Sequence, residues 1–352
     1  MKEKKYVKLY YMIKNMIVGG EYKSGEKLPS KRVIADKNGV SVITVEKAYE
    51  MLIDEGYIIS KERSGYYVSS LDIQFTNHLN SSRRSIKQLE ENTEVFPLEN
   101  FEYSLWFKTI RKVISEKGEK LFIKSQNKGC PVLRNAISEY LNRYRGMIAD
   151  PERIIIGSGS EQLYETVVKL LGRDKTYGVE DPSYSQIETV YQSEGAKIRK
   201  LKMGNDGIID GALKNTDIDV LHVTPFRSFP TDVTTSLYKK YEYLRWSNGV
   251  KYIVEDDFNS EFFIPGQPVE TLYSLDNENR VIYINTFSKS LSSSIRMGYM
   301  ILPENLISVY DEKLGKFSCT VPVLDQYILA EFISSGNFER HLNRMRRRMK
   351  KE

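Results

Sequence analysis

The first seventy positions alternate short apolar-periodic stretches with abrupt stops. In residues 6–18, Val7, Tyr10, Tyr11, Ile13, Met16 and Ile17 recur mostly at three- and four-residue spacings, which predicts a helix with one buried face. Gly19 and Gly20 stop it. Ser30, after Pro29, is a good N-cap for a short second helix that Gly39 ends. Ser41 caps a third helix, in which Val45, Ala48, Tyr49 and Leu52 form an i, i+3, i+4, i+7 stripe, and Gly56 closes it. Two β-rich runs, 57–60 and 66–68, flank the polar turn 61–65 and predict a hairpin. Three helices followed by a hairpin predict a winged helix-turn-helix over residues 1–70.

Residues 71–95 are polar and nearly aperiodic, and they contain no glycine, so they predict a linker. From residue 96 to 352 the pattern alternates. Apolar strand-like runs at 154–156, 177–179, 220–223, 252–254, 281–284 and 299–302 are separated by helical stretches. That alternation predicts an α/β domain with a mostly parallel, covered sheet and ligands at the carboxyl ends of its strands. Near the end, Phe338, Leu342, Met345 and Met349 are spaced as a helix stripe that packs against something.

A length of 352 residues fits two or three domains. No apolar run approaches the roughly eighteen residues a membrane span needs. Two cysteines, Cys130 and Cys319, make neither a disulfide framework nor a zinc site, which points to a reducing, cytoplasmic setting. The net charge of +5 is unevenly spread: residues 1–70 and 340–352 are basic, and the stretch between them is net acidic. One end is thereby suited to a polyanion and the middle to something else.

A winged helix lays its third helix in the major groove and its wing on the backbone or in the minor groove. Ser41, Val42, Ile43 and Thr44 open that helix and are the residues placed to meet base edges. Lys31 and Arg32, at the positive end of the second helix, suit phosphates, and Arg63 and Gly65 lie on the wing turn. The same pattern also fits a protein-binding helical domain with a solvated basic face. Residues 28–58 (LPSKRVIADKNGVSVITVEKAYEMLIDEGYI) and 63–68 (RSGYYV) resemble the GntR family of bacterial DNA-binding domains, across essentially all of 6–68. The resemblance implies double-stranded operator DNA as the partner. Val42 stands where the family often has arginine.

In the second part, Lys289 follows a β run and is flanked by Ser288 and Ser290, with Arg296 seven positions on. A pyridoxal-phosphate site needs such a set: an amine for a Schiff base, with Thr286, Ser288 and Arg296 for phosphate oxygens. Taken alone, the lysine fits a surface loop equally well. Asp256 ends an acidic strand and suits a pyridine nitrogen, though acids also simply cap strands. The turn Gly157-Ser158-Gly159-Ser160 opens a helix and suits an anion. Tyr184 is either a ring-stacking aromatic or a core tyrosine.

Together with GCPVLRNAISEYLNRYRGM (129–147), VTPFRSFPTDVT (223–234), EDDFNSEFF (255–263) and FISSGNFERHLNRMRRRM (332–349), these segments resemble fold-type I aminotransferases. They are most similar to the MocR group, in which a GntR-type domain is fused to an aminotransferase-like domain. The resemblance implies a homodimeric transcriptional regulator that binds pyridoxal phosphate, with an amine or amino acid as effector. Lys289 would be its Schiff-base lysine, Asp256 the pyridinium partner and Tyr184 the stacking residue. Ser158, Gly159, Ser160, Ser288 and Arg296 would lie near the phosphate. Phe258 stands where the family has tyrosine, Arg227 and Ser228 where His and Gln are common, and Asp232 where glycine is usual. Arg227 is a candidate for the donor that Phe258 lacks. Members of the group continue for about a hundred residues past the basic helix as a small carboxyl-terminal domain, so that domain is expected to be missing here. Two alternatives share these residues: a cofactor-free regulator that uses the α/β domain for dimerisation, and a working aminotransferase.

Overall fold

A computed structural model of the chain describes residues 5–61, 64–69, 101, 103–214, 216–249, 251–262 and 270–349. They fall into two compact units, one within residues 1–94 and one within 95–352. The expected linker at 71–95 and the wing residue Arg63 lie outside the described residues.

In the first unit, α1 (Lys5–Val18) packs on α3 (Val42–Asp54), with α2 (Lys31–Asn38) between them in the chain. Leu9, Tyr10, Ile13 and Ile17 meet Val45, Ala48, Tyr49 and Leu52 in one core. Capping sets the boundaries. The Ser30 and Ser41 side chains accept from the backbone N–H groups of Val33 and Thr44, and Gly39 ends α2 in the left-handed region at φ 60°. Each serine cap contributes about 1 kcal/mol. Strands β1 (Ile58–Lys61) and β2 (Gly65–Val68) pair antiparallel as the wing, and the two strands bury Ile58 and Val68 against the helices.

The second unit opens with α4 (Tyr103–Lys117) and α5 (Pro131–Tyr140), the latter continued by a π-helical turn over Leu141–Arg145. Then follow β3 (Ile154–Gly157), α6 (Ser160–Leu171), β4 (Thr176–Asp181), α7 (Ser185–Ser193), β5 (Lys197–Lys202) and β6 (Val220–Val223). After α8 (Leu237–Trp246) come β7 (Tyr252–Asp256), α9 (Leu272–Leu275), β8 (Val281–Thr286) and β9 (Gly298–Ile301). Helices α10 (Ile307–Leu314), α11 (Val323–Ser334) and α12 (Asn337–Met349) complete it. The sheet order is β3-β9-β8-β7-β6-β4-β5. Only β9 runs against its neighbours among these described strands. Burial of β3, β6, β8 and β9 on both faces explains their uninterrupted apolar runs.

The six expected strands are present; 220–223 has the expected bounds, and the other five differ by one or two residues at one or both ends. Strand β5, KIRKLK, falls outside the expected set. It is an edge strand with mostly exposed charged residues, so it carries no apolar signal. The stripe on α12 packs as expected at Phe338 and Leu342, both buried in the core that holds Leu133, Ile137 and Leu329.

Candidate functional site

Strand register brings the candidate residues to one edge of the sheet. Gly157, ending β3, and Thr286, ending β8, both lie opposite Gly298 at the start of β9. Asp256, ending β7, lies opposite Ile284 of β8. With neighbouring strands about 4.8 Å apart, the ends of β3, β8 and β7 and the segment leading into β9 lie together at one end of the sheet.

The turn into α6 presents a helix N-terminus with no side-chain cap, an arrangement that suits an anion. Gly159 is its N-cap with φ 103°, a backbone that L side chains rarely adopt. A Cβ placed there would come 3.2 Å from Nη2 of Arg296. The bare glycine therefore lets the guanidinium approach the open N–H groups of the helix, where positive charge and donors converge. Glu161 carries the other end of this charge, 3.8 Å from Arg296. Ser158 N–H donates to the Gln162 side chain at 3.3 Å.

Asp256 is 2% exposed. Its Oδ2 accepts a hydrogen bond from the Tyr164 hydroxyl of α6, and Nε2 of His222 on β6 stands 3.8 Å away. The other ring nitrogen of His222 is hydrogen-bonded to the Tyr191 hydroxyl of α7 at 2.6 Å. Oδ1 of Asp256 is buried without a partner. An unpaired buried carboxylate oxygen costs about 1–3 kcal/mol or more, and Oδ1 finds no donor among the described residues.

Lys289, half-buried, donates from Nζ to Asn259 Oδ1 at 3.0 Å and lies 4.1 Å from the centre of the Phe258 ring. Asn259 in turn donates to the Arg227 carbonyl at 3.2 Å. Arg227, the candidate for the donor that Phe258 lacks, has a 45% exposed side chain. Its guanidinium is held by Asp232, Nε to Oδ1 at 2.8 Å. Both residues are left-handed, φ 50° and 54°, which explains why position 232 suits glycine elsewhere; Asp tolerates that backbone better than most side chains. Ser228 donates to Glu180 Oε2 at 2.8 Å, and burial pushes the Glu180 carboxyl up to about 8. Tyr184, 40% exposed, packs edge-on to Phe229 at 6.4 Å. Thr286 is buried at its strand end and Ser288 is half-buried in the following turn.

Behind Asp256 the same strand end leads into a buried ionic cluster that the sequence did not signal. Arg145 Nη2 donates to Asp257 Oδ2 at 2.9 Å, and Tyr283 donates to the same oxygen at 2.7 Å. Arg145 also donates to Ser260, and Glu261 is 3.9 Å away. Burial, partly offset by Arg145, pushes the Glu261 carboxyl up to about 7.

In the first unit, Ser41, Val42 and Ile43 are exposed at the start of α3, with Ile43 66% exposed. Arg32 is exposed, whereas Lys31 is tied to Glu46 at 2.5 Å. Gly65 opens β2 at φ 111°.

The bacterial regulatory proteins of the gntR family match residues 5–68, and class I and II aminotransferases match residues 100–352. An uncharacterized HTH-type transcriptional regulator of Bacillus subtilis, YdeL, is 35% identical over 99% of this chain and 77% of its own length. The chain belongs to the MocR-type group of the GntR family. The MocR regulatory protein of Rhizobium meliloti, named for rhizopine catabolism, is 29% identical over 96% of this chain and 73% of its own length. Among solved structures, the α-aminoadipate aminotransferase LysN of Thermus thermophilus, complexed with N-(5'-phosphopyridoxyl)-L-leucine, superposes with a TM-score of 0.63 at 27% identity. That match covers 72% of this chain and 65% of LysN, so the chain spans just under two thirds of that enzyme.

In this MocR-type chain the fold gathers Lys289, Asp256, Gly159 and Arg296, all legible in the sequence, at one sheet edge. It adds Tyr164, His222 and Tyr191, which were not. These come from α6, β6 and α7 and read as ordinary core residues. The only available signal was a histidine inside a buried strand. Among the described residues no helix is long and apolar enough to cross a membrane, and no cluster suited to a metal occurs.

Proposed function

We propose that this MocR-type chain is a transcriptional regulator that binds operator DNA through its first unit and pyridoxal phosphate through its second. The observation that carries the cofactor reading is the partnerless, buried Oδ1 of Asp256, at the same sheet edge as the Gly159–Arg296 cup and Lys289. A pyridinium N–H is the donor that oxygen lacks. Lys289 would hold the aldehyde carbon, and the cup formed by Ser158, Gly159, Ser160 and Arg296 would hold the phosphate, with Thr286 and Ser288 beside it. Tyr184 would cover one ring face. When bound, the cofactor supplies an aldehyde that captures primary amines and a ring that withdraws electrons.

The protein's own groups favour sensing over turnover. Phe258 offers no hydroxyl to the ring oxygen, and its face, with Asn259, holds the Lys289 ammonium when that amine is free. An effector carrying a primary amine would compete with Lys289 for the aldehyde. Exposed Ile43, Val42 and Ser41 would read the major groove, with Thr44 beside them, Arg32 and Lys31 would meet phosphates, and Gly65 and Arg63 would carry the wing. A homodimer is supported by an apolar stripe on the outer face of α4, where Tyr103, Phe107 and Ile114 are 43–52% exposed, and by the 92% exposed Phe122 beyond it.

The deciding experiment is the visible absorption spectrum of the purified protein with added pyridoxal phosphate, beside Lys289→Ala. A lysine–cofactor band in the wild type that the variant lacks is the expected result, and no band in either protein overturns the cofactor reading. Salt-sensitive, sequence-preferring binding to the protein's own promoter region tests the regulator, and its absence overturns it. Phe107→Glu is expected to shift the sedimenting species toward monomer.

A further inference from the structure

The partnerless oxygen of Asp256 is one half of the carboxylate, and the other half has an unusual occupant. Tyr164 is 1% exposed, and its hydroxyl donates to Oδ2 of Asp256. It sits on α6 one turn after Ser160, whose hydroxyl faces the same phenol. One helix therefore carries both the anion cup and the group that grips the acid. The phenol ring is fixed by edge contacts, 5.1 Å to His222 and 6.2 Å to Tyr191. His222 lies 3.8 Å from the same Oδ2, too far for a hydrogen bond, so the tyrosine and not the histidine is the direct partner of Asp256.

We propose that Tyr164 is a positioning residue for the cofactor's ring nitrogen: by donating to Oδ2 of Asp256 it reserves Oδ1 for that nitrogen and weakens the carboxylate's hold on the shared proton. This rests on the pyridoxal-phosphate reading above and deepens it. The physical basis is the competition of donors for one charge. A hydroxyl donating to a carboxylate stabilises its ionised form, so an acid already holding a phenol is a poorer base toward a second donor. A ring nitrogen that loses its proton more readily withdraws electrons less well. The cofactor then captures amines but is a weaker sink for breaking their bonds, which suits a sensor.

The test follows the ring nitrogen directly. Pyridoxal phosphate labelled with ¹⁵N at the ring is bound to the wild type and to Tyr164→Phe, and its ¹⁵N shift is titrated with pH. The variant is expected to keep the ring proton to higher pH, with a midpoint about one unit or more above the wild type. The difference should vanish in an Asp256→Asn background, which a purely structural role of the tyrosine would not produce. If Tyr164→Phe does not fold, difluorotyrosine placed at position 164 keeps the shape and is a stronger donor; the midpoint should then move down. Unmoved midpoints in the variants, or a Tyr164→Phe difference that persists in the Asp256→Asn background, overturn the role of Tyr164. Absence of any lysine–cofactor band instead overturns the cofactor reading on which it rests.

Discussion

Replacing Glu180 by glutamine tests how the site stores protons. Glu180 is 2% exposed near the end of β4, with Oε2 accepting from Ser228 and Oε1 without a partner among the described residues. Burial pushes its carboxyl from the ordinary 4.5 up to about 8, against the pull of the Ser228 hydroxyl and the Thr224 backbone. The folded state therefore keeps a proton that the unfolded chain has already released. The stability this group contributes is complete below 4.5 and is lost as the pH rises through about 8. At about 1.4 kcal/mol per pH unit the gap sets a ceiling near 5 kcal/mol, and water entry around the ionised group reduces it to roughly 2–4 kcal/mol. Glutamine has no proton to lose. Its amide leaves a buried N–H where Oε1 stood, at a cost of about 1–3 kcal/mol that is the same at every pH.

The comparison is therefore a difference of differences. Urea unfolding of the full chain is followed by tryptophan fluorescence, since both tryptophans, Trp106 and Trp246, belong to the second unit. Wild type and Glu180→Gln are compared at about pH 5 and about pH 9, with stability taken from linear extrapolation. Glu255 and Glu261, also raised by burial, to about 8 and about 7, titrate in both proteins and cancel. The variant should gain roughly 2–4 kcal/mol relative to wild type between the two pH values. Parallel stability–pH curves would refute the reasoning.

Two further outcomes follow from the same geometry. Gly159→Ala puts a Cβ 3.2 Å from Arg296 at φ 103° and should cost about 1–3 kcal/mol in backbone strain; cofactor titration should show at least a roughly tenfold loss of affinity. Asp257→Asn leaves Arg145, 5% exposed, with Glu261 at 3.9 Å as its remaining acid, and should destabilise the second unit by about 3–5 kcal/mol in tryptophan-monitored unfolding; a loss under about 1 kcal/mol would contradict the buried pair.

Much of the fold was legible because its signals are local. Ser30 and Ser41 cap their helices through their own side chains, and Gly39 takes the left-handed backbone only a few residues tolerate. The stripe from Val45 to Leu52 is buried as its spacing predicts. Buried strands such as β8 read as apolar runs because both faces are covered. Strand β5 failed the same test because an edge strand needs no such run. In the sequence, the departures at 227 and 232 are two separate positions. The structure joins them in one ion pair across a turn, a relation set by two left-handed residues five positions apart.

By itself, then, the sequence determined the winged helix, the alternating α/β body and the chemical types at Lys289, Asp256, Gly159 and Arg296, since propensity, capping and burial period act over a few residues. Which groups face one another was decided only by tertiary structure. Tyr164 reaches Asp256 across 92 positions of chain, Arg145 reaches Asp257 across 112, and Gly159 approaches Arg296 because β3 and β8 share one register point on β9. Such contacts depend on strand order and side-chain direction, and those emerge only when distant segments bury their apolar faces together.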